Sequence, residues 1–447
     1  MIKKGVALPI TGLLLAAALT ACGSSSEKAG SDNTPAPSQE PPKAAEPPKP
    51  KDPITLVVAD GLGDWPEDRF NRVIAEPVKK KFPHITLQWA KNTDIKNNVT
   101  TGQPLDLVMS SSGLMQARVL DFDLQIDITP YLKQFNYDIN QVEPTAVDIF
   151  RNAANGQLWA IPAFMAPSPL YYNKDIFDKF GVEYPKDGMT WDQTFELAKR
   201  VTRVEGGETY HGLFLSFGHV IRRNQYSLDI VDMSKGTVTF NSDQWKQVFQ
   251  KAAQFYTIPE MNMDSKKAAL AYQREAFTKT RTAAMWLPVS TQHTEAELAG
   301  MNWDMATFPE YADKPGVGPQ PYPTGFFVTS MSKHKEDAFQ VSAFLASEEY
   351  QLEWVKKGEF LTALKSSTLR SSFGSETDFY KGKNIKAMLP EKYAAPSAIT
   401  RYNSTAESQM SSAFTKIILN QADLNTALRQ AEEAANKAIQ ELKAQGK

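Results

Sequence analysis

The chain has 447 residues, with 49 Lys plus Arg against 51 Asp plus Glu, a formal net charge of −2. That balance sets up no field to hold a polyanion and argues against nucleic acid as a partner, while 42% hydrophobic and 11% aromatic residues exclude global disorder. A single cysteine, Cys22, rules out a disulfide framework, a thiolate metal site and an iron–sulfur cluster.

Lys3 and Lys4 form a short basic start. The apolar run Val6 to Leu19 suits the ~7–15-residue hydrophobic region of an export signal better than the ~20 residues of a membrane span. It ends in Leu19-Thr20-Ala21-Cys22, followed by Gly23-Ser24-Ser25-Ser26. This resembles the lipobox of bacterial lipoproteins and implies removal of residues 1–21 and a lipid anchor on Cys22, each buried methylene adding ~0.8 kcal/mol of membrane affinity. Residues 23–51 carry seven prolines and five serines and no aromatic residue. They cannot bury enough surface to offset their ordering entropy and read, with Cys22, as a disordered tether over 22–51.

The globular part opens with Ile54-Thr55-Leu56-Val57-Val58-Ala59, a continuous β-branched run expected of a strand buried on both faces. A helix follows over 67–81, disturbed at Pro77, then strands at 84–89 and 105–109. Strand, helix, strand at this spacing predicts βαβ units. Short strands are expected at 158–162 and 169–172, a helix over 174–180 closed by Gly181, and a helix over 191–204 capped by Thr190. Further strands are expected at 237–240, 281–287, 305–308 and 325–329, with a helix over 243–256. Two long helices, 405–420 and 424–444, end the chain, and Leu424, Leu428, Ala431, Ala435, Ile439 and Leu442 of the second share one face. By length the chain accommodates three domain-sized units or two large α/β lobes.

Five stretches carry a resemblance. Gly156-Gln157-Leu158-Trp159-Ala160-Ile161-Pro162, then Leu170-Tyr171-Tyr172-Asn173-Lys174-Asp175-Ile176-Phe177, then Thr190-Trp191-Asp192, Ala283-Ala284-Met285, and Ser332-Lys333-His334-Lys335-Glu336-Asp337-Ala338-Phe339 with Ser347-Glu348-Glu349-Tyr350-Gln351 occur in the order found in extracellular solute-binding proteins of ABC importers. The chain resembles family 1 of these receptors, similar to maltose-binding protein. The resemblance implies an α/β, two-lobed periplasmic-binding-protein-like fold, each lobe a mostly parallel sheet flanked by helices, joined by a multi-crossing hinge. It implies a first lobe of 52–163 and 309–346 and a second of 164–308 and 347–447, closing on ligand. The implied partners are ABC importer membrane subunits and the membrane itself, through lipidated Cys22. A monomer without cofactor or metal is expected.

A site for a polyhydroxylated solute needs aromatic faces for sugar rings and planar polar groups for hydroxyls, placed at strand C-termini. Asp60 and Trp65 follow the first strand, and Ser111 follows the third. Tyr171 lies on a short strand, and Trp286 ends the Ala-Ala-Met strand. Tyr322 sits in the Pro319–Gly325 loop, and Tyr402 precedes the penultimate helix. Each has an alternative in packing or capping, Trp286 in the core and Asp60 in the turn that follows it. Among enzymes, Gly-x-Ser-x-Gly and His-Glu-x-x-His are absent, and Gly61-Leu62-Gly63 lacks the third glycine of a dinucleotide loop. A glycosidase using Asp60 and Glu67 remains a rival, as does a metal receptor, although the five histidines show no ligand spacing. The expected function is capture of an oligosaccharide for an importer, with no chemistry in this chain.

Overall fold

The computed structural model describes residues 51–63, 65–91, 94–153, 156–289 and 295–445. The expected signal, Cys22 and all of the tether except Lys51 lie outside the described residues. No helix among those described is long and apolar enough to cross a membrane.

The first βαβ unit forms as its pattern predicts. Ile54–Asp60 (β1), Ile85–Ala90 (β2) and Leu107–Ser111 (β3) pair in parallel with β1 at the centre. The helical stretch between β1 and β2 runs Glu67–Phe70, Asn71–Ala75 and Glu76–Lys81, its middle turn widened to π geometry. Pro77 accounts for this, because it has no N–H for the Val73 carbonyl and its ring crowds that oxygen. The freed Val73 carbonyl accepts from the buried Tyr350 hydroxyl at 2.9 Å, fastening the helix Glu348–Lys356 to this sheet.

The sheet is completed by Pro162–Met165 (β4), Pro323–Val328 (β10) and Leu361–Thr362 (β11), in the order β11-β4-β10-β3-β1-β2. A second sheet contains Leu170–Asn173 (β5), Arg203–Glu205 (β6), Glu208–Leu215 (β7), Ala283–Leu287 (β8) and Trp303–Ala306 (β9), in the order β6-β7-β8-β5-β9. Helices flank both. The sheets are more mixed than continuous apolar runs suggest. β7–β8 is parallel, whereas β10 and β11 in the first sheet and β5, β6 and β9 in the second pair antiparallel. A strand buried on both faces is apolar throughout whichever way it runs, so the run cannot report direction.

One expected strand joins neither sheet. Val238 and Phe240 of the run 237–240 are buried, but among the described residues only Thr237 makes a bridge, an isolated one to Asp232. The Asn436 side chain takes up the backbone there, accepting from Val238 N at 2.9 Å and donating to Val238 O at 3.1 Å. The position beside β8 belongs to β7, whose Gly212 lets the helix Trp191–Val201 approach. A Cβ there would stand 2.6 Å from the Ala198 carbonyl. Thr190 caps that helix in a full capping box with Gln193, and Gly181 adopts the left-handed C-cap at φ 62°.

The chain passes between the sheets three times, over 166–169, 307–322 and 373–402. The last passage differs from the expected resumption of the second lobe at Ser347, since β11 returns to the first sheet. One node ties all three. Gln320 is fully buried; its amide nitrogen donates to Asn224 O at 2.8 Å and its amide oxygen accepts from Ser397 N at 2.7 Å. Buried Arg223 donates to Gln320 O at 2.9 Å and to Ser168 Oγ at 2.5 Å.

Candidate functional site

The C-terminal ends of the parallel strands in the two sheets border the passages between them. β1 ends at Asp60 and β3 at Ser111, and because β10 runs antiparallel with Thr324 opposite Ser111, Tyr322 stands at the same edge. In the second sheet β7 and β8 end at Leu215 and Leu287, and the Ser216 amide donates to Leu287 O at 3.0 Å. Ala166, Val289 and Tyr322 form a separate small apolar cluster between these edges. A narrow cleft opens here. Ser112, Gly113, Gln116 and Ile149 line it from the first-sheet side, and Arg222, Ile230, Asn403 and Glu407 from the second-sheet side. Pro321, Tyr322, Ser397 and Ile399 come from the passages.

The lining mixes apolar and polar residues, and the polar ones are largely matched to one another. Arg222 donates from Nε to Glu407 Oε2 at 2.8 Å. Burial opposes its charge, but Glu407 and the Tyr322 hydroxyl outweigh it and hold the guanidinium protonated well above its usual range. An arginine beside a carboxylate offers adjacent donors and acceptors, which suits neighbouring hydroxyls. Tyr322 lies against Gly113 so closely that a Cβ on Gly113 would fall 2.0 Å from its hydroxyl. The neighbouring His219 accepts or donates at Nδ1 with Ser216 Oγ at 2.7 Å. Burial, then Arg222 and Arg223, push its pKa down to about 3, so it is neutral near pH 7. Arg223 itself is pushed down to about 10 by burial, with Tyr393 and Tyr322 opposing.

The residues expected from sequence fall in different surroundings. Tyr322 lines the cleft, and Ser111 is buried one residue before the lining Ser112. Asp60 is buried and its carboxylate accepts from Leu62 N at 3.0 Å, Gly63 N at 2.8 Å and Trp65 N at 3.4 Å. It shapes its own turn. Burial raises its pKa against those amides and Arg118. Trp65 is half-buried with the Arg69 guanidinium 4.2 Å over its ring; Arg69 in turn donates to Glu359. Tyr171 and Trp286 face each other across the β5–β8 ladder, and both are fully buried. Trp286 packs 5.5 Å from Phe277 and Tyr171 5.6 Å from Trp303, so both rings are core side chains here. Tyr402 is half-buried beneath the Lys443 ammonium at 5.7 Å.

Arg222, Glu407, Gln116 and Asn403 were not legible as site residues. They stand on helices whose periodicity marks only a buried face, and nothing local says that the face meets a cleft. Among the described residues no three His, Cys, Asp or Glu side chains gather as a metal cage.

A family model, "Bacterial extracellular solute-binding protein", matches residues 65–352, well over half of the chain. A binding protein of Brucella abortus is 24% identical over 252 residues, 54% of this chain and 59% of that protein. The chain thus spans less than two thirds of the length of the curated relatives it matches first. An ABC substrate-binding protein from Listeria monocytogenes, solved with cycloalternan, superposes with a TM-score of 0.70 at 18% identity, covering 87% of this chain and 99% of the other. A cyclic alpha-maltosyl-1,6-maltose binding protein from Arthrobacter globiformis superposes at 0.65 with 15% identity, covering 87% and 99%. The two-lobed fold is shared with both.

Proposed function

The chain belongs to the bacterial extracellular solute-binding proteins, and we propose that it captures an oligosaccharide outside the cytoplasm and delivers it to an ABC importer by closing its two lobes. The observation that carries this reading is the cleft between the strand ends, walled from both sheets by hydrogen-bonding groups around one aromatic ring, Tyr322. Paired donors and acceptors with a ring to stack on fit a polyhydroxylated solute better than an ion. The structural neighbours solved with cycloalternan or named for a maltosyl-maltose agree with that class. Sheet membership supports lobes of 52–165 with 323–372 and of 170–306 with 403–445.

In this reading Tyr322, Ser112, Arg222, Glu407 and Asn403 meet the solute, Trp65 edges the mouth, and Asp60 and Ser111 hold the turns. Thermal shift tests it. Maltotetraose, cycloalternan and other neutral oligosaccharides are titrated beside divalent and ferric ions, and a ligand at 100 times its Kd adds about 2.7 kcal/mol of stability. A rise in melting temperature with at least one saccharide is expected. A rise with a metal ion and with no saccharide overturns the sugar assignment. Lipid anchoring through Cys22 and a monomeric state complete the proposal. Cys22→Ala should abolish palmitate labelling, and persistent labelling of the membrane fraction would refute the anchor.

A further inference from the structure

The helix Asn403–Ile418 is built into the second-sheet side. Phe414 stacks on Phe217 with ring centres 3.8 Å apart and meets the Tyr256 ring edge-on at 5.6 Å. Its first two turns supply Asn403 and Glu407 to the cleft. Yet the residue before it, Tyr402, makes no side-chain cap, and a helix start leaves amides in need of acceptors. One acceptor comes from across the cleft. Gln116, in the short helix Met115–Arg118 that follows β3, is buried and accepts from Ser404 N through Oε1 at 2.8 Å. Its Nε2 donates to Arg401 O at 2.6 Å and to Ser404 Oγ at 2.9 Å. On its own side Asp121 stands 3.5 Å from the same nitrogen and orients the amide.

We infer that Gln116 is a positioning residue acting in trans. It caps the helix of the opposite lobe, so that lobe closure and placement of Asn403 and Glu407 are one event. The Asn403 side chain is engaged by Thr400, whose backbone N and Oγ1 both donate to Asn403 Oδ1 at 2.8 Å, so it cannot take over the cap without releasing Thr400. Opening the lobes separates Gln116 from Ser404 and Arg401 and gives these groups back to water. The cap therefore weights the closed state before any solute contact counts, and a receptor whose closed form is more populated binds with a lower apparent Kd.

This inference rests on the lobe-closure reading but not on the identity of the solute, so its test uses none. The full chain and its Gln116→Ala and Gln116→Glu variants are compared by small-angle scattering and by amide hydrogen exchange. Gln116→Ala should raise the radius of gyration and speed exchange at Ser404 by roughly five- to tenfold, the effect of losing one helix cap. Exchange in the helix interior, around Phe414, should stay as it was. Gln116→Glu retains an acceptor for Ser404 but sets a carboxylate oxygen against Arg401 O and Asp121, so it should restore only part of that protection. Faster exchange at Ser404 with an unchanged radius of gyration overturns the coupling to closure. Acceleration spread through the whole helix with a lower melting temperature overturns it too, since Gln116 would then only hold the fold. No change in either measurement removes the cap altogether. Failure of every saccharide in the thermal-shift panel would leave these ligand-free outcomes standing, which separates the two readings.

Discussion

The two regions expected to hold solute differ in how they are made. Around Tyr171 and Trp286 the aromatic residues sit on adjacent strands of one sheet and their rings are wholly buried among Phe277 and Trp303. Around Tyr322 the cleft draws side chains from the flanks of both sheets and from two of the three connecting passages. The first region is a core that contains the side-chain types of a sugar site. The second is a cavity whose side chains, taken one at a time, look like ordinary helix and loop residues. Tyr322 is buried too, at 7% exposure, so aromatic content and burial do not separate the two regions; Tyr322 lines a cavity and Trp286 does not, and that is decided by tertiary packing.

The comparison breaks most sharply at Trp286. Trp286→Ala should cost about 3–5 kcal/mol in folding stability, as for a buried aromatic, with solute affinity of the folded variant little changed. Denaturant unfolding beside a binding titration measures both, and the reverse pattern would move Trp286 into the site. Next in size is the acid limb. His211 in β7 is buried, its Nε2 is 3.3 Å from Tyr272 OH, and burial followed by Lys267 pushes its pKa down to about 4. Between the ordinary histidine value near 6.5 and 4 the unfolded chain binds a proton that the folded chain refuses. Stability should therefore fall as pH drops through that window, by up to roughly 3 kcal/mol, and be indifferent to His211 above it. A melting series from pH 8 to 4 on wild type and His211→Phe checks this; equal acid slopes would show that His211 titrates normally.

Tyr322 sharpens the comparison from the other side. Tyr322→Ala should weaken solute binding by about 2 kcal/mol, the scale of an interface hot spot, and lower stability less than Trp286→Ala does. Isothermal titration with the solute found by thermal shift decides it, and unchanged affinity would empty the cleft of its aromatic. The smallest effect belongs to the tether. Removing residues 23–51 also removes the ion pair of Lys51 with Asp337 at 2.6 Å, whose lysine side chain is 53% exposed. A surface pair of that kind is worth at most about 1 kcal/mol, so the melting temperature and affinity should shift barely. A fall of many degrees would mean that the tether docks on the body.

Much of the fold was legible where local rules decide it. The Thr190 cap, the left-handed Gly181 and the helix Leu424–Ala444 appear as expected, because each depends on residues within one or two turns. Pro77 announced a disturbed helix, but the distortion falls on the turn before it, since the carbonyl it deprives belongs to Val73. Residues 237–240 carry the alternation of a strand but join neither sheet, and Asn436, 198 positions away, takes up the Val238 backbone instead. The site was less legible still. Tyr322 was recognisable from an irregular loop before a strand, whereas Arg222, Glu407 and Gln116 become a site only through lobe-to-lobe contact. Asp60 shows the converse: a carboxylate at a strand end whose oxygens are taken up by the amides of its own turn.

The node at Gln320 has a mechanical side. Three backbone passages run between the sheets, and one buried amide with one buried guanidinium fastens each to the others. Fastened strands bend together, but they cannot slip lengthwise past one another without breaking several hydrogen bonds in a place where water cannot replace them. Sliding of the lobes is thereby suppressed while rotation about the fastening point stays cheap. In the closure proposed above, how far the two lobes shut would then follow the thickness of what lies between them.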